Sequence, residues 1–218
     1  MTDEALERIE GKLRLARERG ARPFGVESHE LRVSPPLSPD EIEAAEARLG
    51  VRFPEEYRGF IARIGDGGAG PAFGVFSLAA ALRQSRLDLD PTLLRTAFPH
   101  TARYNPDKDP EVIAFWRSMD GENATDAEIE LYLVRERRGA LVLCDEGCGY
   151  LHFLVVTGPA CGTMWIDARG SDGGFVPLGV TFLQWYERWL DHLLAGGRGT
   201  WWLDAPPAAE APASTAGA

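Results

Sequence analysis

The sequence has few cysteines and no long apolar run, and both absences narrow the class of protein. Its three cysteines, Cys144, Cys148 and Cys161, cannot all pair with one another, which fits a reducing compartment. No stretch approaches the ~20 apolar residues of a membrane-spanning helix. The acidic opening segment, residues 1–4, is unlike a signal peptide. We therefore expect a cytoplasmic protein that has no membrane partner.

Basic residues are scarce relative to acidic ones. The 218 residues include 23 Lys and Arg against 33 Asp and Glu, which gives a net charge of -10 at pH 7. Nucleic-acid binding draws much of its affinity from neutralising phosphates, so this excess of acid argues against a nucleic-acid partner. An acidic surface instead attracts basic partners.

Common catalytic and phosphate-binding motifs are missing as well. The chain contains no Gly-x-Ser-x-Gly, no Walker loop and no His-Glu-x-x-His. The Gly147-Cys148-Gly149 segment joins two predicted strands, so it presents no helix N-terminus to an anion. The sequence therefore predicts no catalytic residues, no cofactor and no enzymatic activity.

Two alternative sites in this part of the chain are weaker interpretations. Cys144, Cys148, Cys161 and His152 supply four potential zinc ligands, but Cys-x3-Cys is not the usual knuckle spacing and His152 lies in an apolar strand. Buried structural thiols without a metal are the favoured interpretation.

The second alternative is a hydrolase in which Asp145, Glu146 and His152 act as acid and base. A solvated hairpin turn accounts for Asp145 and Glu146 without any such chemistry, and we favour it.

The length and composition suit one soluble domain with extensions. Hydrophobic residues make up 44% and charged residues 26% of the chain, which is close to average globular usage. We expect a helical extension and linker over residues 1–37 and an α+β domain over 38–204. Residues 205–218, rich in Ala and Pro, read as a disordered tail.

The spacing of apolar residues and the capping signals define the predicted elements. Helices are predicted over residues 3–20, 38–49, 54–64, 110–119, 125–137 and 181–194. Short apolar runs separated by glycine turns predict strands over residues 140–144, 150–157 and 163–168, with a fourth near 175–176. Consecutive strands joined by tight turns indicate an antiparallel meander.

One acidic run stands out as a candidate partner-binding surface. Five acids and no base lie within eleven residues, namely Asp120, Glu122, Asp126, Glu128 and Glu130. The ordinary interpretation is a solvated loop and a helix N-terminus, where the dipole stabilises acids. The more specific hypothesis is a docking face for a basic protein.

The ordered motifs resemble those of the SUKH superfamily, the Smi/Knr-type proteins. Residues 49–60 read Leu-Gly-Val-Arg-Phe-Pro-Glu-Glu-Tyr-Arg-Gly-Phe, and Gly67-Gly68 follows them. Later motifs of that family match in order through the Phe182–Tyr186 segment, so the resemblance covers about residues 38–195. Asp66 and Phe53 stand where the family commonly has Asn and Leu. Asp tolerates a left-handed turn as Asn does, and Phe remains an apolar anchor as Leu does.

The resemblance implies an α+β fold, with a curved and mainly antiparallel sheet surrounded by helices, and no catalytic residues. The motif residues that it assigns to shaping the fold are Gly50, Pro54, Tyr57, Phe60, Gly67, Gly68, Gly147, Gly149, Trp165 and Trp185.

The resemblance also sets the functional expectation. Bacterial members look like immunity proteins that neutralise toxins, often nucleases, while fungal members are scaffolding or signalling modules. We expect a bacterial immunity protein that meets a basic toxin domain. The alternative is a regulatory or scaffolding module with a partner that is not a toxin.

Overall fold

The computed structural model describes residues 2–118, 125–126, 130 and 134–197. Within these residues the chain forms an α+β fold, as predicted. Its elements are α1 (Thr2–Glu18), α2 (Pro39–Leu49), α3 (Glu55–Arg63), α4 (Leu78–Gln84), α5 (Pro110–Ser118), β1 (Ala140–Gly147), β2 (Tyr150–Val155), β3 (Thr163–Asp167), β4 (Phe175–Thr181) and α6 (Phe182–Leu194). Six of the thirteen residues of the predicted helix over 125–137, namely 127–129 and 131–133, lie outside the described residues, and the predicted tail over 205–218 lies outside them entirely.

The four strands form one antiparallel meander in the order β1-β2-β3-β4, which confirms the predicted connectivity. Phe153 of β2 pairs with Trp165 of β3, and Asp167 of β3 pairs with Phe175 of β4. The fourth strand is longer than its two predicted residues, since it continues to Thr181 and leads directly into α6.

Both faces of the sheet are covered, which explains why the central strand is almost continuously apolar. Leu154 and Met164 belong to the main core, which the helices cover. Phe153 and Trp165 point to the opposite face, where they pack with Phe98 in a second, smaller cluster. Side chains alternate between the faces because successive residues of a strand point in opposite directions.

The last helix, α6, packs its apolar face into the main core. Trp185 and Trp189 lie on its apolar face and are 0% and 2% exposed, as their spacing predicts. The N-terminal helix α1 buries Leu6, Ile9 and neighbouring residues in the same core.

Ion pairs tie α1 to α6 at the surface. Arg8 and Lys12 both donate hydrogen bonds to the carboxylate of Glu187, with Nε–Oε1 and Nζ–Oε1 distances of 2.8 Å and 2.9 Å. These bonds lower the pKa of Glu187 to about 2. Helix α1 is therefore attached to the domain both by burial of its apolar side chains and by ion pairs with α6.

Local signals fix the ends of several helices. The predicted capping box of α2 is present, because Ser38 Oγ accepts from the Glu41 N–H and the Glu41 carboxylate accepts from the Ser38 N–H. Such a cap stabilises a helix by ~1 kcal/mol. None of the described helices combines the length and the apolar character needed to cross a bilayer.

Candidate partner-binding surface

The acidic run is only partly within the described residues. Asp120, Glu122 and Glu128 lie outside them, whereas Asp126 is exposed and Glu130 is half-buried. The Arg86 guanidinium donates a hydrogen bond from Nη2 to Glu130 Oε2. One of the five acids is therefore compensated by an arginine that lies 44 residues earlier in the chain. Asp126 is the described member of the run that solvent reaches freely.

The glycines of the family-like motifs occupy backbone conformations that other residues rarely adopt. Gly67 and Gly68 have φ values of 82° and 102°. A Cβ on Gly68 would also overlap the backbone oxygen of Arg32, which runs alongside. Glycine is therefore required there to close the turn after α3. Positive φ is shared by Gly50, Gly147 and Gly149.

The aromatic motif residues lie in the core rather than on the surface. Tyr57, Phe60 and Trp185 are fully buried, and Trp165 is 1% exposed. Tyr57 and Phe60 contact Phe182 edge-on, at centroid distances of 5.3 Å and 5.1 Å, which joins α3 to the start of α6. Pro54 precedes the first residue of α3, where its fixed φ suits a helix start. These motif residues shape the fold and present no binding surface.

The structure brings two of the three candidate acid–base residues together. His152 pairs with Cys144 across β1 and β2, and its Nε2 lies 3.4 Å from Glu146 Oε1. Trp185 Nε1–H donates to His152 Nδ1 at 2.8 Å. Asp145 instead accepts from the Gly147 N–H in a turn of its own. The expectation that Glu146 is solvated is wrong, since its side chain is only 7% exposed.

This His152 network is enclosed. The His152 side chain is 0% exposed, and burial lowers its pKa to about 3, so the ring is neutral at pH 7. A general acid or base must lie within hydrogen-bond reach of a substrate. The arrangement gives a substrate no access to the ring, and the network joins the sheet to α6.

The cysteines do not share one environment. Cys144 is buried, its Sγ lies 3.3 Å from the Pro71 carbonyl oxygen, and burial raises the pKa of its thiol. Cys148 and Cys161 are exposed, so the interpretation of all three as buried thiols is wrong for these two. Cys148 lies in the β1–β2 turn with a φ of 52°. No group of three or more His, Cys, Asp and Glu residues suited to a metal occurs among the described residues.

An exposed aromatic pair was not anticipated from the sequence. Phe24 and Phe73 are 57% and 43% exposed, and they are the large hydrophobic side chains that the described residues leave at the surface. Their ring centroids lie 5.6 Å apart. Gly147 of the β1–β2 turn borders Phe73, since a Cβ there would lie 3.5 Å from the ring. Residues 49 positions apart thus form one apolar patch, which we call the Phe24–Phe73 patch.

The sequence indicates the exposure of these two rings only in part. Phe24 stands between Pro23 and Gly25 in a segment without periodicity, so no helix or strand pattern assigns its ring to the core. The turn at Pro71–Gly74 presents Phe73 in a similar way, with a left-handed Ala72 before it. Their proximity depends on the tertiary fold.

Comparison with known protein families identifies the family of this chain. The sequence model of the SMI1 / KNR4 family (SUKH-1) matches residues 36–188, which is more than half of the chain. The match begins within the linker before α2 and ends inside α6. No curated protein and no solved structure is detectably similar to the chain.

Proposed function

The chain belongs to the SMI1 / KNR4 family (SUKH-1), a family whose members include toxin-immunity proteins, and from this premise we propose that it is a non-enzymatic immunity protein that binds and neutralises a toxin. Family membership supports a protein-binding module at the coarse level. The proposal adds the kind of partner and the surfaces that meet it.

The observation that carries the proposal is the Phe24–Phe73 patch. Large apolar side chains exposed together often mark protein interaction sites, because water is excluded from them when a partner binds. The few anchor residues that dominate an interface cost roughly 2 kcal/mol or more each when truncated, and aromatic side chains are enriched in interface cores. Every other large hydrophobic side chain that the structure describes is at least half-buried, which sets this patch apart.

The net charge of -10 indicates the chemistry of the partner. Complementary charge speeds the encounter of two proteins, so the acidic run over residues 120–130 would steer a basic domain toward this protein. A nuclease toxin must hold a positive phosphate-binding groove, and an acidic protein suits such a target. The enclosed position of His152 is consistent with a role that needs no catalysis.

The experiment pairs this chain with the toxin domain encoded by its neighbouring genes. Expression of that domain alone should stop bacterial growth, and co-expression of the chain should restore it. Phe24→Ser with Phe73→Ser should abolish protection, while Phe24→Tyr with Phe73→Tyr, which keeps both rings, should retain it. Neighbouring genes without a toxin domain, or equal protection by the serine variant, would contradict the proposal.

A further inference from the structure

A cleft of about 640 Å³ lies between α4 and the sheet, and neither Phe24 nor Phe73 lines it. The end of α4 forms one wall with Arg83 and Arg86, and the ends of β2 and β3 form another with Leu151 and Asp167. Arg137, just before β1, lines the same cleft. Several arginines therefore converge on one concave surface of a strongly acidic protein.

Arg137 is unusual because its charge is buried without adequate partners. The residue is only 9% exposed, and its Nε and Nη1 atoms have no hydrogen-bond partner in the described part of the chain. Asp167 lies beside it, with Oδ2 at 3.5 Å from Nη1. Burying a charged side chain whose hydrogen-bond donors are unsatisfied is unfavourable. A ligand that supplied hydrogen-bond acceptors to Arg137 would therefore bind favourably here.

Asp167 cannot serve both neighbouring arginines fully. Arg169 donates from Nε to Oδ1 at 2.9 Å and from Nη2 to Oδ2 at 2.7 Å, and its backbone N–H also lies 3.2 Å from Oδ1. Two guanidinium groups therefore share one carboxylate, and Arg137 is the more distant of the two from it. Burial and the nearby Arg169 lower the pKa of Arg137 to about 10, while Asp167 opposes that shift.

The remaining charges around the cleft indicate which anion fits. Glu130 is engaged by Arg86, and among the described residues the lining carries four arginines and four acids, the other acids being Asp107 and Glu136. A singly charged anion would supply acceptors to the unsatisfied donors of Arg137 and be repelled less by the four carboxylates than a phosphate dianion would. Apolar side chains of Val112, Val134 and Leu151 also line the cleft.

We propose that this cleft binds a carboxylate that carries an apolar body, and that Arg137 anchors the carboxylate. Hydrogen bonds between a guanidinium and a carboxylate are among the strong ones in proteins. The carboxylate belongs either to a small organic acid or to the C-terminus of a peptide, which share the same chemistry. This site goes beyond the proposed function, since it needs neither the toxin nor the Phe24–Phe73 patch.

Calorimetric titration of the full chain with hexanoate tests the site directly. We expect saturable binding at one site, and at least tenfold weaker binding of hexanol and of inorganic phosphate. Acetyl-leucyl-leucine and its C-terminal amide distinguish the two sources. Tighter binding of the free acid than of hexanoate identifies a peptide C-terminus, and weaker binding identifies a small organic acid. Absence of saturable hexanoate binding, or equal affinity for phosphate or hexanol, would overturn the proposal.

Arg137→Met provides the matched variant, because it keeps much of the side-chain volume and removes the charge. Hexanoate should bind at least tenfold more weakly to it, without a fall in the melting temperature. Arg138→Met, at the neighbouring position outside the cleft lining, should bind as wild type does. Should Arg137→Met not fold, Arg83→Met removes an exposed arginine of the same cleft and should weaken binding about threefold. If Arg137→Met folds and binds hexanoate with unchanged affinity, the proposed site is refuted. If Arg137→Met does not fold, unchanged affinity of Arg83→Met for hexanoate refutes it.

Discussion

The buried His152 gives the protein a defined loss of stability in mild acid. Its pKa is lowered from 6.5 to about 3 by burial, whereas in the unfolded chain the ring titrates near 6.5. Below pH 6.5 the unfolded chain therefore binds a proton that the folded chain does not bind until about pH 3. The contribution of His152 to stability is fully present above pH 6.5 and is lost as the pH falls through this window.

The magnitude follows from the size of the shift. Each pH unit below 6.5 costs about 1.4 kcal/mol, so lowering the pH from 7.5 to 5.0 should remove roughly 2 kcal/mol of unfolding free energy through His152 alone. Urea unfolding at the two pH values measures this loss. His29, whose pKa burial also lowers, adds a loss of the same sign.

His152→Gln isolates the His152 contribution. Glutamine does not titrate and retains an oxygen that can accept from Trp185 Nε1–H, so the variant should lose roughly 2 kcal/mol less than wild type between pH 7.5 and 5.0. Only the difference in pH dependence is compared, because the substitution also changes absolute stability. The Glu146 carboxylate at 3.4 Å favours a charged ring. Equal losses in the two proteins would therefore mean that Glu146 offsets the burial and would refute the reasoning.

Three further outcomes follow from the core, the thiols and the acidic run. Trp185→Ala and Trp189→Ala should each lower the unfolding free energy by ~3–5 kcal/mol in denaturant titrations, since both rings are buried; a stable Trp185→Ala protein that has lost only a binding activity would contradict this. The thiols of Cys148 and Cys161 should react with a maleimide in the folded protein, and the thiol of Cys144 should react only in denaturant. Rapid reaction of all three thiols in the folded protein would be inconsistent with the burial of Cys144. Reversal of Glu122, Asp126 and Glu128 to lysine should slow association with the toxin domain and weaken the salt dependence of the association rate. The same reversal of Asp3, Glu4 and Glu18 on α1 should change the association rate less. Identical association rates for the two triple variants would refute a docking role for the acidic run.

Local signals made the helices and the meander predictable from the sequence. The Ser38–Glu41 capping box involves groups three residues apart, and the apolar stripe of α6 repeats every three to four residues. The strands are separated by short glycine-containing turns, so each strand pairs with the next one along the chain. Such features depend on neighbours in sequence, which is why a pattern reveals them.

The surfaces could not be predicted in the same way, because they join distant residues. Glu130 reads as one of an uncompensated set until the fold brings Arg86 to it across 44 positions. The Phe24–Phe73 patch likewise depends on two loops that meet in space. Sequence neighbours misled the interpretation of Cys148, since its flanking strands are buried while the turn that carries it is exposed.

The neutralisation of a toxin by direct binding is the central claim, and a titration tests it most directly. Increasing amounts of the purified full chain are added to a fixed amount of the toxin domain encoded beside it, and both complex formation and residual toxin activity are measured. We predict saturation at a fixed stoichiometry with activity falling in step with binding, and about 30-fold or greater weakening of both by Phe24→Ser with Phe73→Ser. Full toxin activity in the presence of a saturating excess of the chain would contradict the account.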